Sequence, residues 1–252
     1  MKILIVSTFF PPQNAIASLR PYSWAKWWSR AGHDVTVLTT RKHVLQTDLI
    51  LPSDGFRVVE LAVPFLYSYL SWRDRARSRV PVEPESKTSK PLNTRSTGLG
   101  RLFAKALAAI HRSGALSSRF PSVFGLWVPR AKRWACRERW DLVVSTAGPY
   151  PVHRVGHYLV KRAATGHWVA DWRDLWTDNH ILKGLPLFRR HEKRLEGAFH
   201  RAATLVTTVS EPLAEVIRAK TATPVAVVYN GYDPEDYDQI PPERIFPDDT
   251  TY

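Results

Sequence analysis

The chain has 252 residues, of which 44% are hydrophobic and 23% charged, and its net charge is +13. This composition excludes an intrinsically disordered chain, because 10 Trp and 10 Phe side chains require burial. The single cysteine, Cys136, excludes an internal disulfide framework and a cysteine-based zinc site. No apolar run approaches the ~18 residues of a membrane-spanning helix.

Short apolar runs alternate with helical patterns along the chain. The first run resembles a short secretory signal, but it contains Ser7 and Thr8 and precedes a proline pair, so a buried first strand explains it better. Repeated apolar runs with helical crossovers predict a doubly wound α/β fold, in which helices cover both faces of a mainly parallel sheet. The seven predicted strands span residues 2–8, 34–39, 57–63, 141–146, 167–171, 204–209 and 225–229.

The predicted helices span residues 21–31, 99–116, 129–140, 152–164, 187–202 and 211–220. Residues 71–97 are rich in Arg, Ser, Pro and Lys and have almost no apolar periodicity, so this stretch is predicted to be mobile. It lies within a basic insertion of about 67–140 in a Rossmann-like domain of residues 1–232. The acidic tail 233–252 is predicted to be a linker.

The positive charge is concentrated in this insertion. Between Tyr67 and Trp140 there are 16 Lys and Arg residues against 4 Asp and Glu residues, and the remainder of the chain is nearly neutral. A local excess indicates either a phosphate-rich or anionic membrane partner or a solvated loop. Nucleic acid is the weaker alternative, because Pro and Ser interrupt the basic residues and no nucleic-acid-binding motif occurs.

The loop after the first predicted strand carries one candidate anion site. It lacks the G-x-G-x-x-G pattern, so the dinucleotide fingerprint is absent. If Pro21 occupies the first helical position, the free amides face an anion and Arg20 stands beside them as a clamp. The alternative is a surface arginine in a turn.

The loop after the fifth predicted strand places Asp171, Arg173 and Asp174 among tryptophans. Carboxylates that bind hydroxyls, together with rings that cover apolar faces, are typical of sugar sites. The alternative is a structural Asp–Arg pair that orients the loop. After the sixth strand, Ser210 and Glu211 predict a helix cap with an acidic first turn.

No metal site is predicted. His153 and His157 have i,i+4 spacing, but the H-E-x-x-H pattern and a third ligand are missing.

Four stretches together resemble family 4 of the glycosyltransferases, which are retaining enzymes with the GT-B fold. They are KILIVSTFFPP with the later GHDVTVLT, DWRDLWTDN, LVTTVSEPLAEVI and VVYNGYDPEDY. The resemblance covers almost the whole chain except about residues 67–125. Many members carry a glycine pair in the first loop, where Asn14 and Ala15 stand here. The E-x7-E motif of the family belongs to its second domain, and the same spacing of Glu235 and Glu243 is interrupted by two prolines.

The resemblance implies the N-terminal, acceptor-side half of a GT-B enzyme, which transfers a sugar from a nucleotide-sugar donor to a glycan or lipid-linked acceptor. The partners would be a C-terminal domain that binds the donor, the acceptor, and an anionic surface at the cytoplasmic face of a membrane. This half would bind no cofactor and would be inactive alone. The alternatives are a truncated, non-catalytic binding module and a basic protein that binds membranes or nucleic acid. The implied substrate-binding residues, none assigned to catalysis, are Asn14, Ser18, Arg20, Asp171, Arg173, Asp174, Ser210 and Glu211.

Overall fold

The computed structural model describes residues 1–42, 49–53, 55–63, 109, 114, 118–233 and 235. The predicted mobile stretch 71–97 lies outside the described residues. So do all but residues 109 and 114 of the predicted helix 99–116, and all but residues 233 and 235 of the predicted linker.

The described residues form one parallel sheet of seven strands in the order β3-β2-β1-β4-β5-β6-β7. This confirms the predicted doubly wound α/β fold. The order reverses between β1 and β4, because β1 pairs with β2 through Ile3↔Val35 on one side and with β4 through Ile3↔Leu142 on the other. The strands are β1 (Lys2–Val6), β2 (Asp34–Thr40), β3 (Arg57–Leu61), β4 (Trp140–Thr146), β5 (Thr165–Trp172), β6 (Leu205–Thr208) and β7 (Val225–Val227).

Helices cover both faces of the sheet, as the alternation of side chains along β1 requires. Ile3 and Ile5 belong to a core under the first helix, whereas Leu4 and Val6 belong to a larger core under the other helices. No helix in the described ranges is long and apolar enough to cross a membrane. The α-helices are α1 (Ile16–Arg30), α2 (Val128–Ala135), α3 (His153–Lys161), α4 (Arg189–Ala202) and α5 (Glu211–Arg218), and 3-10 turns occupy Val123–Leu126, Tyr150–Val152 and Pro186–Phe188.

The predicted start of the first helix is wrong, because α1 begins at Ile16 and Pro21 lies inside it. A proline in this position lacks the N–H that would donate to the carbonyl of Ala17, four residues earlier. The guanidinium of Arg173 replaces that donor, with Nη1 3.1 Å from the Ala17 oxygen. A tertiary contact therefore supplies the hydrogen bond that the proline removes.

The predicted helix 129–140 is too long at its C-terminal end. The α2 helix ends at Ala135, and Trp140 is the first residue of β4, where it pairs with Thr165. The buried indole of Trp140 donates to the carbonyl of Ala135 at 2.8 Å, which satisfies an acceptor at the end of the helix. Val128 and Ala131 are buried in the main core, so α2 is an integral part of the folded domain.

Candidate functional site

The carboxyl ends of β1 and β4 form a crevice, because the strand order reverses between them. In doubly wound sheets, ligands bind in such a crevice. Beside it, the strand register puts Asp171 of β5 in a row with Thr146 of β4 and Thr207 of β6. Both threonine hydroxyls donate to the Asp171 carboxylate, at 2.7 and 2.8 Å. The polar residues that end these apolar strands thus build one buried acceptor site.

Arg20 of α1 completes the coordination of this carboxylate. Its Nε and Nη2 lie 3.2 and 2.9 Å from the two Asp171 oxygens, and Asp171 is fully buried. The remaining Nη1 lies 3.2 Å from both the Tyr229 carbonyl and the Asn230 side chain. The guanidinium also lies 4.7 Å from the ring centroid of Trp24. Arg20 is therefore a buried junction between α1, β5 and the segment after β7, and the alternative of a surface arginine in a turn is wrong.

Arg173 spans the crevice on the side of β4. Its Nε donates to the Ala147 carbonyl at 2.8 Å, and Nη2 lies 3.5 Å from the Gly148 carbonyl. Together with the Ala17 contact, these bonds join the loop after β4 to α1. A Cβ on Gly148 would lie 2.9 Å from Nη2, and φ there is +105°, so only glycine fits this close approach. Burial lowers the pKa of Arg173, and the neighbouring Asp171 and Asp174 carboxylates oppose that shift.

The other predicted residues in the first and fifth loops differ in their exposure. Asp174 and Asn14 are exposed, and neither makes a hydrogen bond or ion pair with any described residue. Ser18 is fully buried in α1, where its hydroxyl has no hydrogen-bond partner among the described residues. Asp174 is thus the carboxylate of this group that a ligand can reach, since both oxygens of Asp171 are occupied.

Ser210 and Glu211 stand at the same edge, where α5 begins. Ser210 precedes the helix in an extended conformation, but its side chain does not cap it. Glu211 forms an exposed ion pair with Arg218. Within the described part of the chain, no hydrogen bond or ion pair connects these two residues with Arg20 or Asp171. Ser210 and Glu211 therefore lie at the carboxyl edge of the sheet but are not part of the buried junction of Arg20 and Asp171.

Sequence reasoning missed a buried lysine at this edge. The Nζ of Lys42 donates to the Thr8 carbonyl at 2.7 Å and to the Thr39 hydroxyl at 2.8 Å, which joins the ends of β1 and β2. Burial lowers the pKa of Lys42 to about 7. Sequence reasoning also missed Thr146 and Thr207, for which the available signal was a threonine near the end of each apolar strand that neighbours β5.

The two histidines with i,i+4 spacing contact the side chains of the main core. Nδ1 of His153 lies 2.8 Å from the Ser145 hydroxyl, and the oxygen of that hydroxyl accepts a hydrogen bond from the Trp168 indole. Burial lowers the pKa of His153 to about 3. His157 packs against Trp168 and Phe199. Across the described ranges, no three metal-ligating side chains cluster.

The fold and the edge define a doubly wound α/β domain with a crevice at the point where the strand order reverses. The family model described as Glycosyltransferase Family 4 matches residues 93–236, which is more than half of the chain. The chain belongs to this family, and the predicted resemblance is confirmed. A domain of this family supports a function of the glycosyltransferase type. The match includes β4–β7 with Asp171, Arg173 and Asp174, whereas Arg20 lies outside it. No curated protein matches the chain.

Proposed function

We propose that this domain is the acceptor-side half of a retaining glycosyltransferase, which transfers a sugar from a nucleotide-sugar donor to a glycan or lipid-linked acceptor. The donor would lie between the crevice and a second α/β domain that binds the nucleotide. The observation that carries the proposal is the buried Arg20–Asp171 junction with the neighbouring Arg173, which together join α1, the loop after β4, β5 and the segment after β7 at one edge. Family membership supports the transfer chemistry.

The roles of the site residues follow from their exposure. Asp174 is the exposed carboxylate beside the crevice, and it would accept hydrogen bonds from sugar hydroxyls. The Arg20–Asp171 pair would act through Asp174 and Asn14 by holding their loops in place. Such transfer depends on positioning and on stabilisation of the leaving-group charge. The guanidinium of Arg173 donates its hydrogen bonds to neutral backbone carbonyls. Its positive charge near the crevice would therefore attract the donor diphosphate or an acceptor phosphate.

A peripheral location at an anionic membrane surface also belongs to this proposal. The excess of basic residues between positions 67 and 140 supports it, because clustered Lys and Arg attract anionic lipids. Such a location would bring a lipid-linked acceptor to the crevice.

Titration calorimetry with uridine- and guanosine-diphosphate sugars tests whether the second domain provides most of the donor-binding site. The 252-residue chain should bind these donors more weakly than micromolar, because the base, ribose and most diphosphate contacts would come from the second domain. It should also not transfer sugar alone. A micromolar Kd, or rapid transfer by the chain alone, would show that the donor site lies in this domain.

A second experiment tests the role of Asp174 in an enzyme assembled with a matching donor-binding domain. Asp174→Asn should lower kcat/KM at least tenfold, because the amide replaces a charged acceptor of hydroxyl hydrogen bonds. Asp34→Asn is the matched control, since Asp34 is exposed at the opposite, amino edge of the sheet. Equal activity of Asp174→Asn and Asp34→Asn would show that Asp174 does not bind the substrate. Absence of transfer by the assembled wild-type enzyme with every donor would refute glycosyl transfer.

A further inference from the structure

A second concave site adjoins the crevice on the helical face formed by α2, α3 and α4. It is a cavity of about 250 Å³, here named the Trp176 cavity, between the segment before α2 and the loops after β4 and β5. Tyr150 and Trp176 form one wall, with their rings 5.1 Å apart and nearly parallel. Phe120, Leu126 and Leu195 contribute to the rest of the lining.

Among the described residues, the lining of the Trp176 cavity is apolar apart from two serines, two arginines and the Tyr150 hydroxyl. Arg119 is neutralised, because its Nη2 lies 2.6 Å from Glu192 in a pair that is fully buried. Arg154 also lines the cavity, and it has no ion pair or hydrogen bond with any described residue. The indole Nε1 of Trp176 is buried without an acceptor in the described part of the chain. The cavity therefore combines apolar walls with one uncompensated positive charge.

This chemistry distinguishes between possible ligands. A sugar ring requires several partners for its hydroxyls, and the lining has no carboxylate, carboxamide or imidazole among its described residues. An apolar chain needs no such partners and gains from the removal of its surface from water. An anionic group at the end of that chain would be paired by Arg154. An amphiphile with one anionic end thus fits the lining better than a sugar does.

Two short loops link the lining of the Trp176 cavity to residues of the crevice. Tyr150 follows Gly148, whose carbonyl faces Arg173, and Trp176 follows the exposed Asp174. The Tyr150 hydroxyl donates to the Leu175 carbonyl at 2.8 Å, which fixes the two loops to each other. A ligand that reaches from the cavity to the crevice would contact one connected unit.

We propose that the Trp176 cavity binds an alkyl or isoprenyl phosphate, with the apolar chain between Tyr150, Trp176 and Leu126 and the phosphate on Arg154. This inference rests on the proposed function, and it assigns the acceptor to the lipid-linked class. Its phosphate end is the part of the acceptor that Arg154 recognises, and the sugar attached to that phosphate is the part that receives the transferred residue.

Binding of decyl phosphate to the 252-residue chain, measured by calorimetry below the micelle concentration, tests the proposal. Decyl phosphate should bind at least tenfold more tightly than decanol, which lacks the anion, and than inorganic phosphate, which lacks the chain. Arg154→Gln should reduce decyl phosphate binding about tenfold or more, to the level of decanol. Arg130→Gln is the matched control, because Arg130 is an exposed arginine of α2 that does not line the cavity.

A cavity-filling variant provides an independent test. Gly125 lines the Trp176 cavity, and a Cβ on it would meet no heavy atom of the described residues within 4 Å. Gly125→Leu should therefore fold, which circular dichroism checks, and should abolish binding of both decyl phosphate and decanol. The proposal is overturned if folded Gly125→Leu binds as the wild type does, or if Arg154→Gln and Arg130→Gln bind alike. Tighter binding of glucose 1-phosphate than of decyl phosphate also overturns it, in favour of a sugar site.

The outcome is separable from that of the proposed function. If the assembled enzyme transfers sugar but Arg154→Gln leaves the KM for a lipid-linked acceptor unchanged, the function stands and the lipid site is wrong. If decyl phosphate binds as expected and no donor sugar is transferred, the lipid site stands and the transferase assignment is wrong.

Discussion

Replacement of Asp171 by alanine should be among the most destabilising changes in the domain. It removes both carboxylate acceptors of the buried Arg20 guanidinium and leaves the hydroxyls of Thr146 and Thr207 without their acceptor. Breaking a buried ion pair by removing one partner costs about 3–5 kcal/mol. Since the free energy of unfolding of a domain is about 5–15 kcal/mol, this loss is a large part of its stability. Urea unfolding, followed by far-ultraviolet circular dichroism, measures it.

The exposed pair of Glu211 and Arg218 provides the control. Glu211→Ala should cost at most about 1 kcal/mol, because an exposed pair is solvated in both states. The double variant of Arg20→Ala with Asp171→Ala should cost less than the sum of the two single changes, since no unpaired charge remains buried. If Asp171→Ala costs no more than Glu211→Ala, the buried junction does not stabilise the fold and the reasoning fails.

Three further predictions concern the packing, the pH dependence and the proline in α1. Gly156→Ala should destabilise by about 1–3 kcal/mol, because its Cβ would lie 2.2 Å from Nε1 of Trp168. The wild type should lose about 2 kcal/mol of unfolding free energy from His153 between pH ~7 and ~5, which His153→Gln should not lose. Burial lowers the pKa of His153 in the folded state, so between pH ~6.5 and ~3 this histidine binds a proton in the unfolded state only. Acid therefore favours the unfolded state. Arg173→Ala should lower the free energy of unfolding by about 2 kcal/mol. Pro21→Ala restores the amide that can donate to Ala17, so it should stabilise the Arg173→Ala variant about 1 kcal/mol more than it stabilises the wild type.

Urea unfolding measures the free energy of unfolding of each variant, and each prediction has an outcome that would contradict it. Gly166 lies in β5, and among the described atoms a Cβ added there would meet only a backbone oxygen, at 3.9 Å. Gly166→Ala should therefore destabilise much less than Gly156→Ala. Equal costs would show that α3 does not depend on its close approach to Trp168. Parallel pH profiles of wild type and His153→Gln would show that His153 titrates normally. An equal gain from Pro21→Ala in both backgrounds would show that Arg173 does not replace the lost amide.

The sheet could be predicted from sequence, whereas the junction at its edge could not. Buried parallel strands are apolar on both faces, so runs such as that of β1 are recognisable without knowledge of their neighbours. The pair of Arg20 and Asp171 joins residues 151 positions apart, and no local pattern records such a contact. Pro21 was misleading because proline is common at the first position of a helix, and the donor that permits it inside α1 comes from the loop after β5. Tyr150 and Trp176 have no periodic spacing, so the cavity was not predictable either.

The chain from Tyr229 to Glu235 contacts α1 between Arg20 and Arg30. Arg20 contacts Tyr229 and Asn230, Lys26 lies 2.5 Å from Asp233, and both Lys26 and Arg30 pair with Glu235. The stretch from Arg20 to Arg30 covers about 15 Å of helix, directed from the crevice toward the opposite edge of the sheet. The pairs with the exposed Glu235 carboxylate therefore hold that residue at the end of α1 that lies away from the crevice. High ionic strength weakens exposed pairs more than buried ones, so salt should loosen the contact of Glu235 with Arg30 before that of Asp233 with Lys26.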